Sequence, residues 1–274
     1  MRQRTVTALC GIPLLLAFVW FDTRWFPLLI ILIAALAVFG LLEFYRLAVL
    51  SGARPFTVFG MVWSVLFIVN AQLEADYELD YIAPALLGSA VALPLVWLRL
   101  RRREWAWLSW AWTLAGILYV GWLLGHYVSL REIDHGREWV ILALFSTFAC
   151  DTAAFLVGRT WGTRPLAPAV SPGKTWEGAG AGFAGAVAAA LAIDALLSVA
   201  GLSLSVGYRH ILVIGCLIGL FAQVGDLLES LVKRRAGAKD SGTLLPGHGG
   251  VLDRIDSLVF AGAVVYYYVI WVVE

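Results

Sequence analysis

The stretch Ser230–Ser257, SLVKRRAGAKDSGTLLPGHGGVLDRIDS, lies between two apolar runs. About twenty mostly apolar residues precede it, and sixteen uncharged ones, Leu258 to Val273, follow it. Each run approaches the roughly 20 residues that cross a bilayer as a helix. The charged stretch between them therefore reads as a loop at a membrane surface. Working outward, the whole chain has the same character. Of its 274 residues 61% are hydrophobic and 14% are charged, against roughly 25% charged in soluble domains. A soluble globular domain is excluded, and a net charge of +1 says nothing about a partner.

The hydropathy pattern predicts an all-α polytopic integral membrane protein with about nine transmembrane helices. They fall at roughly 6–21, 25–45, 56–73, 81–98, 107–128, 138–158, 176–200, 210–229 and 257–273. Trp20, Trp97, Trp139 and Trp271 stand near span ends, as an aromatic belt requires. Arg2 and Arg4 precede the first run with no clear cleavage site, so it reads as a retained helix. Nine spans place sixteen of the twenty Lys/Arg on one side and leave Arg24, Arg131, Arg137 and Arg209 on the other. The positive-inside rule then puts the N-terminus and the 230–256 loop in the cytoplasm. Cys10, Cys150 and Cys216 have no paired spacing and read as small apolar packing residues.

The chain reads as one transmembrane domain, 1–274, without repeats. Residues 1–137 form scaffold helices with room for oligomer contacts. Residues 138–274 carry the loops 159–175 and 230–256, so polar groups that bind something are expected in this half. Asp226 and Glu229 end the eighth span, and Asp253 and Asp256 open the ninth. Residues at i and i+3 share a helix face, so each pair can aim its carboxylates at one point. Hard oxygen ligands of this kind suit Mg²⁺ or Mn²⁺ together with substrate phosphate oxygens. A plain helix-end charge explains Asp253 and Asp256 at an N-terminus but not Asp226 and Glu229 at a C-terminus.

Lys233, Arg234, Arg235, Lys239 and Arg254 are interleaved with these acids, which suits a polyphosphate better than a bare lipid anchor. In PGHGG, Pro246–Gly250, the glycines allow close approach of backbone N–H groups to an anion, and His248 stands among them. VSPGKTWEG, Val170–Gly178, fails as a phosphate-binding P-loop, because Pro168 stands where that pattern needs glycine. It still places Lys174 and Thr175 ahead of a helix N-terminus. Asp151 lies deep in the sixth span, where an ionisable group is costly and marks function by default. Glu43 and Asp194 also fall within spans and are left without a role. EGAGAGFAGA, Glu177–Ala186, reads as a small-residue face for close helix packing, within the chain or in a homodimer.

Ser230, Lys233, Arg234, Lys239, Asp240, Gly242, Pro246, His248, Gly249, Gly250, Asp253, Arg254 and Asp256 together match, without departure, a 27-residue signature. The stretch resembles the signature of the phosphatidate cytidylyltransferase (CDP-diacylglycerol synthase) family. CDTAAFLVGR and SPGKTWEG upstream also look like family segments, so the resemblance covers about residues 145–270. It implies transfer of a cytidylyl group from CTP to phosphatidic acid, giving CDP-diacylglycerol and pyrophosphate, with Mg²⁺ (or Mn²⁺).

On that reading Asp226, Asp253 and Asp256 hold metal, with Asp151 and Glu229 in support. Lys233, Lys239, Asp240, His248 and Arg254 are the expected catalytic set. Ser171, Lys174, Thr175, Ser230, Arg234, Gly249 and Gly250 are the expected substrate-binding set. The implied partners are CTP, phosphatidic acid and membrane lipids, with no nucleic acid. The implied location is a bacterial-type inner membrane with the site facing the cytoplasm. A CTP-dependent lipid kinase is the close alternative, and a transporter the distant one.

Overall fold

The structure, a computed structural model, describes residues 13–23, 27–77, 81–101, 106–242 and 249–273. After a helical segment over 13–20 (α1) come α2 (Leu28–Leu50), α3 (Thr57–Tyr77), α4 (Ile82–Arg101) and α5 (Ala106–Gly116). A π-helical turn, Ile117–Trp122, joins α5 to α6 (Leu123–Glu132). Then follow α7 (Gly136–Trp161), strands β1 (Pro165–Ala167) and β2 (Ser171–Thr175), α8 (Trp176–Val199), α9 (Tyr208–Arg235) and α10 (Leu252–Tyr268). Eight helical runs among the described residues are long and apolar enough to cross a membrane. The protein is an all-α polytopic membrane protein. Residues 6–12 of the expected first span, 6–21, lie outside the described residues, as does Cys10.

The chain forms two compact units. The first comprises residues 1–132 and 235–255, and the second 133–234 and 256–274. In the first unit, Asp22 Oδ1 accepts the Leu29 N–H at 2.8 Å and so caps α2 from upstream, where Pro27 cannot. Tyr45 is buried and donates its hydroxyl hydrogen to the Thr113 carbonyl at 2.9 Å. Its ring fills the space where side chains on Gly60 and Gly116 would stand. The carbonyl it engages lies one turn before the π-helical segment, whose i→i+5 pattern departs from the α-helical ladder.

The second unit is built on small residues. Gly178, Gly182 and Gly185 face α7 at Ala154, Cys150 and Ala153. Gly215 and Gly219 of α9 lie against Val187 and Phe183 on α8. Close backbone approach of this kind supplies the packing that lipid-solvated helices otherwise lack. The glycine-rich face of α8 is thus occupied internally and lends a homodimer no support. Cys150 is buried and free, as its reading as a packing residue requires.

A β-carbon on Gly182 would already stand 3.0 Å from both Ala154 Cβ and the Cys150 carbonyl, whereas Gly180 faces open space. Gly182→Leu is expected to cost about 1–3 kcal/mol through overpacking, and Gly180→Leu close to nothing. Thermal unfolding of the two purified variants in detergent measures this. Equal midpoints would refute the packing account.

The charged stretch differs from the expected loop. α9 continues through Arg235 and α10 begins at Leu252, so the connection spans only 236–251. Ser230, Lys233 and Arg234 are helical, and so are Asp253, Arg254 and Asp256. Backbone hydrogen bonding does not stop where apolarity stops, and an i,i+4 pair between Glu229 and Lys233 supports the extension. The 159–175 loop likewise contains an antiparallel hairpin, pairing Pro165 with Thr175 and Ala167 with Ser171.

Candidate active site

In the second unit, α9 carries Asp226 and Glu229 one turn apart, and Asp256 lies in the first turns of α10. Gly225 lets the two helices meet, because a β-carbon there would overlap the Asp256 carbonyl. One oxygen from each of Asp226, Glu229 and Asp256 lies within 4.8 Å of the others. Glu229 is 0% exposed and Asp256 8%. Two lysines answer them. Lys174 Nζ lies 2.8 Å from Asp226 Oδ2, and Lys233 pairs with Glu229. The Ser257 hydroxyl lies 3.2 Å from Asp151 Oδ1 and 3.5 Å from Asp256 Oδ1, and the Ser257 N–H donates to the same Asp256 oxygen at 2.8 Å. Asp151, deep in α7, is thereby joined to the cluster.

Three carboxylates therefore converge, a fourth is linked to them through Ser257, and two of the three are paired with a lysine. Such crowding of negative charge, buried at Glu229 and Asp256, is relieved by a cation, and the donors are hard carboxylate oxygens of the kind Mg²⁺ and Mn²⁺ take. The residues present fit a divalent ion. The converging trio contains Asp226 and Asp256 of the expected metal set together with Glu229, which was expected in support. Asp253 sits at the start of α10, where its Oδ2 accepts the N–H of Gly250 at 2.8 Å and of Ser241 at 3.3 Å. Backbone capping of this kind is the ordinary work of an acidic residue in a first helical turn.

The hairpin positions Lys174. At its tip, Arg234 Nε donates to the Val170 carbonyl at 3.0 Å. At its base, Glu177 accepts the Thr163 hydroxyl at 2.7 Å and the N–H groups of Thr163 and Arg164 at 3.2 and 3.3 Å. Thr175, expected to bind substrate, caps α8 by accepting the Gly178 N–H at 3.1 Å. Ser171 begins β2, and Ser230 is buried on α9.

The remaining sequence candidates belong to the first unit. Lys239, Asp240 and Arg254 are exposed there. Gly249 has φ +80°, a conformation glycine tolerates, whereas Gly250 is buried and its N–H goes to Asp253. His248 lies outside the described residues. Sequence reasoning left Glu43 without a role, yet it is 3% exposed and bonded to Ser241 and Leu252. The available signal was a carboxylate within an apolar helix.

The cytidylyltransferase family model matches residues 2–272. The chain belongs to the cytidylyltransferase family. The match takes in the first 140 residues, where sequence reasoning saw only hydrophobic spans. The chain is 36% identical over 270 residues to the phosphatidate cytidylyltransferase of Brucella suis, covering 97% of this chain and 92% of that one. It is 30% identical over 269 residues to the Bacillus subtilis phosphatidate cytidylyltransferase, covering 97% of each. A chloroplastic phosphatidate cytidylyltransferase of Arabidopsis thaliana is 37% identical over 182 residues, covering 57% of this chain and 45% of that one. Family membership makes the chain a nucleotidyltransferase and gives the acid trio a chemical context.

Proposed function

We propose that the protein transfers the cytidylyl group of CTP to phosphatidic acid at the Asp226–Glu229–Asp256 cluster, releasing pyrophosphate. The observation that carries this is the family match across residues 2–272. The cluster supports it. A phosphatidate oxygen attacks the α-phosphorus of CTP, forming a new P–O bond. The bond from that phosphorus to the β-phosphate bridging oxygen breaks, and pyrophosphate takes the electron pair. The attacking oxygen is already ionised near neutral pH, so no strong general base is needed. The difficulty is bringing two anions together, and positioning with charge neutralisation is most of such catalysis.

Asp226, Glu229 and Asp256 would hold Mg²⁺ or Mn²⁺, which supplies positive charge to phosphate oxygens. Lys174 and Lys233 hold the acids in register and lend positive charge beside the phosphates. Lys239, Arg254, His248 and Gly249 are assigned to phosphate binding. The phosphate of the lipid substrate arrives at the membrane surface, and the charge asymmetry of the loops supports a site facing the cytoplasm of a bacterial-type inner membrane.

Purified protein in detergent, given CTP labelled at the α-phosphate, phosphatidic acid and Mg²⁺, is expected to yield labelled CDP-lipid. Chelation of the metal is expected to abolish the product. Free labelled CDP with a newly phosphorylated lipid alcohol would instead indicate a kinase, a reading the family match does not favour.

A further inference from the structure

Glu43 lies in α2 seven residues before its end, about 10 Å into the helix. Its Oε2 accepts the Ser241 hydroxyl at 2.9 Å and the Leu252 N–H at 2.8 Å. Ser241 is itself 2% exposed. These two donors stand on opposite ends of the connection between α9 and α10, and the segment between them includes residues 243–248. The glycines beside them have a defined purpose. A β-carbon on Gly242 or on Gly250 would overlap the Glu43 carboxylate, so both glycines exist to admit it. Glu43 Oε1 is buried and has no hydrogen-bond partner among the described residues. A buried carboxylate held this way costs stability, so packing alone is a poor account of it.

We infer that Glu43 is a positioning residue for cytidylyl transfer, clamping both ends of the 241–252 segment so that Lys239 and Arg254 are presented to phosphate in one geometry. The inference rests on the reading that Lys239 and Arg254 bind substrate phosphates. One carboxylate oxygen shared between a hydroxyl and a backbone N–H fixes the two ends relative to each other, which neither contact does alone.

The test uses the full-length protein in detergent. Glu43→Gln keeps the shape of the side chain and removes its charge. It is expected to lower kcat/KM for CTP about ten- to a hundredfold, the range for losing charge-assisted hydrogen bonds. KM for phosphatidic acid is expected to stay within about threefold of wild type, since uniform binding of the lipid is untouched. Ser241→Ala should lose less. Combined with Glu43→Gln it should add little, because the two act as one unit. Hydrogen exchange of the Ser241, Gly250 and Leu252 amides should quicken in both variants.

Wild-type kcat/KM in Glu43→Gln, or fully additive losses in the double variant, would overturn the inference. If Glu43→Gln does not fold, Ser241→Ala decides, and wild-type kinetics with unchanged exchange there would refute the clamp. Lys239→Ala and Arg254→Ala serve as controls on the underlying reading. Full activity in both would remove that reading and the clamp with it, whereas loss in both with none in Glu43→Gln would remove the clamp alone.

Discussion

Asp256→Asn is expected to lower kcat by about a thousandfold or more at saturating CTP and phosphatidic acid, and added Mg²⁺ should not restore it. Asp256 is 8% exposed and contributes one of three converging carboxylate oxygens. The amide is nearly isosteric, so the change removes charge and an anionic ligand while the Ser257 N–H keeps an acceptor. Asp226→Asn should behave alike, with the further loss of charge beside Lys174. Asp253→Asn is expected to be far milder. An amide oxygen can still accept the N–H groups of Gly250 and Ser241 that the carboxylate accepts now. Steady-state rates across a Mg²⁺ titration decide the matter. Wild-type kcat in Asp256→Asn would remove the trio from the reaction, and a thousandfold loss confined to Asp253→Asn would return the metal role to that residue.

Lys233→Met carries the second large effect. Its ammonium faces Glu229, whose side chain is fully buried. Removing one member of a buried pair costs about 3–5 kcal/mol, because the other charge stays buried without its partner. The variant should therefore be less stable in detergent as well as inactive. Adding Glu229→Gln should restore most of the stability by removing the stranded charge. It should not restore activity, because the trio is then short of a carboxylate. Thermal unfolding and turnover of the single and double variants separate these effects. A double variant as unstable as the single one would show that the ion pair is not what holds this end of α9.

Much of this architecture is legible in the sequence, and the parts that are not have identifiable causes. Membrane spans announce themselves because lipid tolerates few charges over about 20 residues. Helix ends do not, which is why α9 outruns its apolar stretch by the turns that carry Ser230, Lys233 and Arg234. The hairpin 165–175 is too short for a periodicity signal, and the π-helical turn at 117–122 sits near a partner carbonyl 68 residues from Tyr45. Asp226 and Asp256 are readable as acids at facing helix ends. The convergence of Glu229 with them is not, because i,i+3 spacing alone does not fix which carboxylates come together. Glu43 shows the same limit, since its partners lie 198 and 209 residues away.

The trio draws its members from helices made at different times. Asp226 and Glu229 are translated 30 and 27 residues before Asp256. At roughly 5–20 residues per second, the ribosome is still about 1.5–6 s from adding the last carboxylate when Asp226 emerges from synthesis. Lys174 and Lys233, the two cations paired with the earlier acids, are both already in the chain before Asp256. The nascent protein thus carries counter-charges for its earlier acids before the last one is made, and the carboxylate trio is complete only when α10 has joined α9.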